Sequence, residues 1–190
     1  MSKILISGYY GFANAGDEAM LTAIIESLRQ VEKNVELTVL SGNPEDTAAK
    51  HQVCSVYRFN PLGIIRAMKD SELIISGGGS LLQDVTSKRS LLYYLSIIGL
   101  GKFFGKKVML FAQGIGPIRA KWARKLTSLV CNEADLITVR DSESAAELIE
   151  MGVKPEKITV TAYSVLSLNP VTKECGQYLL QEAGVDLTKP

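Results

Sequence analysis

The chain has 190 residues, 46% of them apolar and 22% charged, with a formal net charge of +1. That length and composition fit one globular domain with a real core, and they exclude intrinsic disorder. The near-zero charge and the lack of a basic tail leave no field for nucleic acid. Three scattered cysteines (Cys54, Cys131, Cys175) and a single histidine, His51, make no metal-ligand pattern and read as reduced thiols of a cytosolic protein.

The first unit is KILISGYYGFANAGDEAML, residues 3–21. Ile4-Leu5-Ile6 is a buried strand by its unbroken apolar run, with no signal peptide ahead of it. A loop with Gly8, Gly11 and Gly16 follows, holding Tyr9, Tyr10 and Asn14. Asp17-Glu18 then open an amphipathic helix over residues 17–30. A strand, a glycine loop and a helix N-terminus suit an anion. The glycine spacing is not G-x-G-x-x-G, however, and the acidic pair repels phosphate. Asp17 and Glu18 serve equally to cap the helix or to accept protons from sugar hydroxyls. The stretch is therefore either a ligand loop or a tight turn before a capped helix.

Further strands are expected at residues 35–40, 52–57, 72–76, 107–112, 135–139 and 158–161. Helices are expected at 61–69, 90–104, 118–132 and 143–151, with a helical turn at 45–50. Strands alternating with helices give an α/β, Rossmann-like three-layer αβα sandwich with a mainly parallel sheet. Residues 91–104, LLYYLSIIGLGKFF, are too short to span a bilayer and read as a buried helix, the alternative being a membrane-surface contact aided by Lys102, Lys106 and Lys107. The expected location is the cytoplasm, at the inner membrane face if that contact is made. Arg119, Lys121, Arg124 and Lys125 read as a solvated face.

In open α/β sheets ligands collect outside the carboxyl ends of the strands. Four loops fall there. The first contains Gly11, Asn14, Gly16, Asp17 and Glu18. The second is Gly77-Gly78-Gly79-Ser80, followed by Asp84. The third begins with Gln113 and Gly114, and the fourth is Arg140-Asp141-Ser142. Triple glycine lets backbone amides approach a ligand, and Arg140 suits bidentate holding of a carboxylate or phosphate. Asp141-Ser142 equally suits a helix cap. No metal site and no Ser-His-Asp arrangement can be assembled.

GYYGFANAGDEAM, SGGGSLLQD, FAQGIGP and TVRDSES together resemble the polysaccharide pyruvyltransferases, most closely the CsaB-type enzymes of secondary cell-wall polymers. The resemblance covers roughly residues 3–170 and implies the amino-terminal domain of a GT-B fold. It implies transfer of a pyruvyl ketal from phosphoenolpyruvate, a donor substrate rather than a cofactor, to an N-acetylmannosamine of a lipid-linked precursor. Arg140 matches an arginine associated with phosphoenolpyruvate, which makes it the candidate catalytic residue. The two glycine loops match the side of the cleft where the sugar is expected.

Two departures stand out. Family members are about twice as long and keep a catalytic histidine in a carboxy-terminal domain, so residues 1–170 are expected to form an amino-terminal half and 171–190 the start of a linker or second domain. Tyr163-Ser164 also stand where the family has Asp-Pro. Expected partners are phosphoenolpyruvate, the lipid-linked sugar, the membrane surface, and either a second copy of the chain or a complementing carboxy-terminal half. A GT-B glycosyltransferase half and a non-catalytic sugar-binding module are the alternative readings.

Overall fold

A computed structural model describes residues 1–170 and 172–185. Seven strands form one parallel sheet: β1 (Lys3–Tyr10), β2 (Glu36–Ser41), β3 (Cys54–Tyr57), β4 (Leu73–Gly77), β5 (Lys107–Gln113), β6 (Leu136–Val139) and β7 (Ile158–Val160). Their order is β3-β2-β1-β4-β5-β6-β7, so the chain winds outward from β1 in one direction, returns, and continues from β4 in the other. The α/β reading of the sequence holds. The point where the winding reverses lies between β1 and β4, which leaves a crevice at their carboxyl ends.

Helices α1 (Ala15–Val31), α2 (Pro44–His51), α3 (Pro61–Asp70), α4 (Lys88–Phe103), α5 (Lys121–Glu133), α6 (Ser142–Glu150) and α7 (Lys173–Glu182) make the outer layers. Strand alternation divides the core between two faces. Ile4, Ile6, Leu37, Val39 and Ile75 pack with Leu21, Ile24 and Ile25 of α1. Leu5, Ile74, Val108, Leu110 and Ile137 pack on the other side with apolar residues of α3 to α6. Residues 91–104 are indeed a core helix, with Leu91, Tyr94, Leu95, Ile97 and Ile98 buried in α4. No described helix is long and apolar enough to cross a membrane.

Helix starts follow their caps rather than the hydrophobic pattern. Helix α1 begins before Asp17 because the Asn14 side chain accepts from the amides of Gly16 and Asp17. Helix α5 begins at Lys121 rather than 118, after an extended stretch in which Asp84, from a distant loop, accepts from the amides of Arg119 and Ala120 at 2.9 Å each. His51 is the last residue of α2, and its ring is set against Glu18. The solvated face expected on α5 is incomplete, because Arg124 pairs with Glu147 at 2.6 Å and Glu150 at 3.3 Å on α6. Residues 173–182 form α7, which buries none of its side chains; the remainder expected as linker, Val171 and 186–190, lies outside the described residues.

At the opposite end of the sheet Asp135 joins three elements. It accepts from Lys102 at 2.7 Å, from Lys107 at 3.2 Å and from the Val108 amide at 2.9 Å. Burial alone would raise its pKa, but these donors outweigh it and hold the carboxyl at about 2 against an ordinary 3.8. A depressed folded-state pKa contributes stability above the unfolded pKa, and that stability is lost as pH falls toward 2. Asp135→Asn should therefore cost about 1 kcal/mol at neutral pH, discounted for solvent screening. Thermal melts of variant and wild type should differ at pH 7 and converge near pH 2.

Candidate functional site

The crevice at the carboxyl ends of β1 and β4 is a cleft of about 270 Å³, lined by Tyr9, Asp17, Ser80, Gln83, Thr86 and Ser90, with Leu81 and Tyr94 as its apolar walls. Its character is polar but uncharged apart from Asp17. Hydroxyls, one amide, one carboxylate and one exposed ring are the groups that bind a sugar. Tyr9 is stacked on Phe12, with centroids 4.3 Å apart, which presents a flat aromatic wall. Burial first, and then the neighbouring Glu18 charge, raise the Asp17 pKa above the ordinary carboxylate value. A larger cleft of about 420 Å³ opens at the amino ends of the strands, between Ser2, Leu28, Glu32 and Leu73. Its Glu32 carboxylate is already engaged by the Ser2 amide, so the polar convergence is at the other end.

The glycine loops are placed by packing. Tyr10 is buried and donates from its hydroxyl to the Gly77 carbonyl at 2.8 Å, tying β1 to the Gly77–Ser80 turn. Gly78 and Gly79 have φ of +76° and +68°. A side chain at Gly77 would strike Ile24 of α1, and one at Gly79 would stand 3.1 Å from Asp17 Oδ1. Glycine therefore lets α1, with Asp17 on its first turn, come down onto this loop.

The amides expected to hold an anion are occupied. Gly11 N–H donates to Glu18 Oε1 at 2.8 Å, Gly16 and Asp17 donate to Asn14, and Gly78 donates to the Phe111 carbonyl. Glu18 turns toward His51, 3.4 Å away, rather than into the cleft. Asn14, Gly11, Gly16 and Glu18 thus shape the loop that carries Asp17.

Arg140 brings a guanidinium to this end of the sheet. Its position follows from the chain that crosses beneath it. A methyl group on Gly114 would lie 2.5 Å from Arg140 Cζ and 2.7 Å from Ser80 Oγ. Arg140 and Ser80 therefore crowd one point above Gly114, which brings the second, third and fourth loops together with Asp17. Asp141 accepts from Arg140 Nε at 3.1 Å and caps α6 through the Ser144 amide at 2.7 Å. The expected helix cap is present, and the same carboxylate braces the guanidinium. Those donors hold it below the usual carboxylate range, the Ser144 bonds first and Arg140 second. Ser142 is the first residue of α6. The Tyr163 ring faces the guanidinium, 5.6 Å from Cζ to centroid, so one residue of the Tyr163-Ser164 departure contacts Arg140.

Gln113 lies beneath this surface. It is fully buried, its Nε2 donates to Ser76 O and Oγ, and its Oε1 has no partner. Asp84 sits beside the cleft and braces it, since its own N–H donates to the Pro117 carbonyl and its carboxylate accepts from the Arg119 and Ala120 amides just before α5. The sequence reading missed Tyr9, Gln83, Thr86 and Ser90 as cleft walls. The signal for Tyr9 was its alternation with buried Tyr10 along β1; no comparable pattern marks the other three. It also missed Arg58, which lies just past β3. Among the described residues no cluster of potential metal ligands occurs.

The family model for polysaccharide pyruvyl transferase matches residues 14–173. No curated protein matches the chain significantly. Among solved structures, Anabaena Alr3699/HepE in complex with UDP and glucose aligns with a TM-score of 0.64 and 13% identity, over 97% of this chain and 50% of that one. UDP-GlcNAc 2-epimerase from Neisseria meningitidis, bound to UDP-GlcNAc, gives 0.62 and 12%, over 100% and 55%. A glycosyltransferase from Rickettsia africae gives 0.59 and 12%, over 100% and 51%. At these identities the likeness shows the fold, that of one half of a GT-B-type structure. The chain spans about half the length of the structures it matches.

Proposed function

Because the chain belongs to the polysaccharide pyruvyl transferase family, we propose that it carries the acceptor cleft and the phosphoenolpyruvate clamp of a pyruvyltransferase acting on a sugar of a lipid-linked cell-wall polymer precursor. The observation that carries this reading is the convergence at Gly114. A guanidinium suited to an oxyanion stands there beside Ser80, next to a polar cleft headed by Asp17.

In this reading Arg140 holds the carboxylate or phosphate of phosphoenolpyruvate by paired N–H donors. Asp141 and the Tyr163 ring fix the guanidinium plane. The sugar lies against Tyr9 with its hydroxyls toward Asp17, Ser80 and Gln83. Two sugar oxygens form bonds to C2 of the donor while the C2–O bond to phosphate breaks. Of the two hydroxyl protons, one goes to C3, turning the methylene into a methyl group, and one leaves with phosphate. Asp17, with its raised pKa, is the group placed to accept the first hydroxyl proton. The remaining acid–base groups belong to a carboxy-terminal domain in this reading, so the chain alone turns over weakly or not at all.

The UDP and UDP-sugar complexes among the similar structures motivate a second reading, a nucleotide-sugar donor on the same scaffold. A transfer assay separates the two. The chain is mixed with phosphoenolpyruvate and an N-acetylmannosaminyl lipid analogue, with and without a family carboxy-terminal domain, and phosphate release and product mass are followed. Pyruvyl mass gain in the complemented mixture is expected. Glycosyl transfer from a UDP-sugar, with no phosphate released from phosphoenolpyruvate, would overturn the reading.

A further inference from the structure

Arg58 is 5% exposed. Among the described residues it takes part in no ion pair. Five aromatic rings surround its Cζ: Tyr93 at 4.4 Å, Phe59 at 5.1 Å, Phe12 at 5.3 Å, Tyr94 at 5.5 Å and Tyr9 at 5.9 Å. Cation–π attraction at a desolvated face offsets part of the cost of burying the charge. It does not give the N–H groups an acceptor. Arg58 Nε has no hydrogen-bond partner, and neither do the buried hydroxyls of Tyr93, Tyr94 and Ser7. Ser7 lies next to the Tyr93 hydroxyl. The Tyr93 hydroxyl, like any tyrosine's, is protonated at neutral pH and can donate. Unpaired donors gathered around one buried cation call for an anion.

The surroundings say what kind. Arg58 and Tyr93 head a cavity of about 310 Å³ between α3 and α4, whose walls are otherwise nearly apolar: Ile64, Ile65, Ile97 and Leu100. Tyr94, the next residue, lines the polar cleft. The cavity and the cleft are thus separated by one pair of adjacent tyrosines, whose ring centroids are 5.1 Å apart.

We propose that Arg58, with the Tyr93 hydroxyl, binds the phosphate of an amphipathic phosphate ester whose apolar chain lies between α3 and α4. The occupant is the phosphate-bearing lipid end of the acceptor, held next to the cleft that takes its sugar. Its identity as the acceptor rests on the pyruvyltransferase reading; the anion site itself does not.

The test is calorimetric titration of the chain with octyl phosphate below its micelle concentration, with octanol and inorganic phosphate as controls. Octyl phosphate should bind at least tenfold more tightly than either control. Arg58→Met should weaken it about tenfold, the worth of a charge-assisted hydrogen bond. Ser96→Trp fills the cavity from an exposed position one turn beyond Tyr93 while keeping Arg58, and should weaken it as well. Should Arg58→Met fail to fold, as judged by circular dichroism, the Ser96→Trp arm decides. Octyl phosphate binding no better than octanol, or undiminished in the variants, would make the cage a structural cation–π cluster. Inorganic phosphate binding as tightly as the ester would remove the lipid chain from the site. Phosphoenolpyruvate titrated in parallel reports on the pyruvyltransferase reading separately.

Discussion

Arg140→Ala should lower the affinity of the chain for phosphoenolpyruvate by roughly 30- to 100-fold, about 2–3 kcal/mol for a charged, bidentate contact. The side chain is held by its Nε–H donating to the Asp141 carboxylate and by the Tyr163 ring rather than by core packing. Its removal should therefore leave the thermal melt nearly unchanged. Arg140→Lys should recover only part of the affinity, because an ammonium keeps the charge but not the fork. Calorimetry on the three proteins checks this. Undiminished affinity in Arg140→Ala would place the donor elsewhere.

The second large effect is expected from a residue with no side chain. Gly114→Ala puts a methyl group 2.5 Å from Arg140 Cζ and 2.7 Å from Ser80 Oγ. Both neighbours are ends of side chains, and Gly114 is not among the residues with positive φ. The backbone therefore accepts alanine, and the strain is relieved by swinging Arg140 and Ser80 outward. Displacing a positioned clamp by even part of an ångström weakens what it holds, here by roughly 30-fold. The melting temperature should fall by only a few degrees. A variant that loses binding with its fold intact shows that the position of Arg140, not merely its charge, is what the site requires. Unchanged phosphoenolpyruvate affinity would show the reverse.

The parallel sheet and the end where its glycine loops gather were legible because each strand is an apolar run ending in glycine or a polar loop. Ile74-Ile75 before Gly77-Gly78-Gly79 and Leu110 before Gln113-Gly114 are clear even without a fold. Arg140 was legible by type and by place. Local pattern does not reveal how the amides are used. The glycine loops look like anion cradles until Asn14 and Glu18 are seen to take the Gly11, Gly16 and Asp17 amides. Helix starts carried the same difficulty, since the stretch that leads into α5 is held by Asp84, 35 residues before Arg119. Arg58 was invisible for a related reason. Its five rings come from the β1 loop, the β3 end and α4, segments that only tertiary folding gathers around one guanidinium. The cleft walls Thr86 and Ser90 are ordinary polar residues of a loop and a helix start, distinguished by position alone.

The most direct test of the central claim is a competition between donors for the unmodified chain. Phosphoenolpyruvate and UDP-GlcNAc are titrated separately and then against each other, with Arg140→Ala as reference. The account predicts saturable phosphoenolpyruvate binding that depends on Arg140 and is not displaced by UDP-GlcNAc. Saturable UDP-GlcNAc binding with none for phosphoenolpyruvate would contradict it and make this scaffold half of a glycosyltransferase.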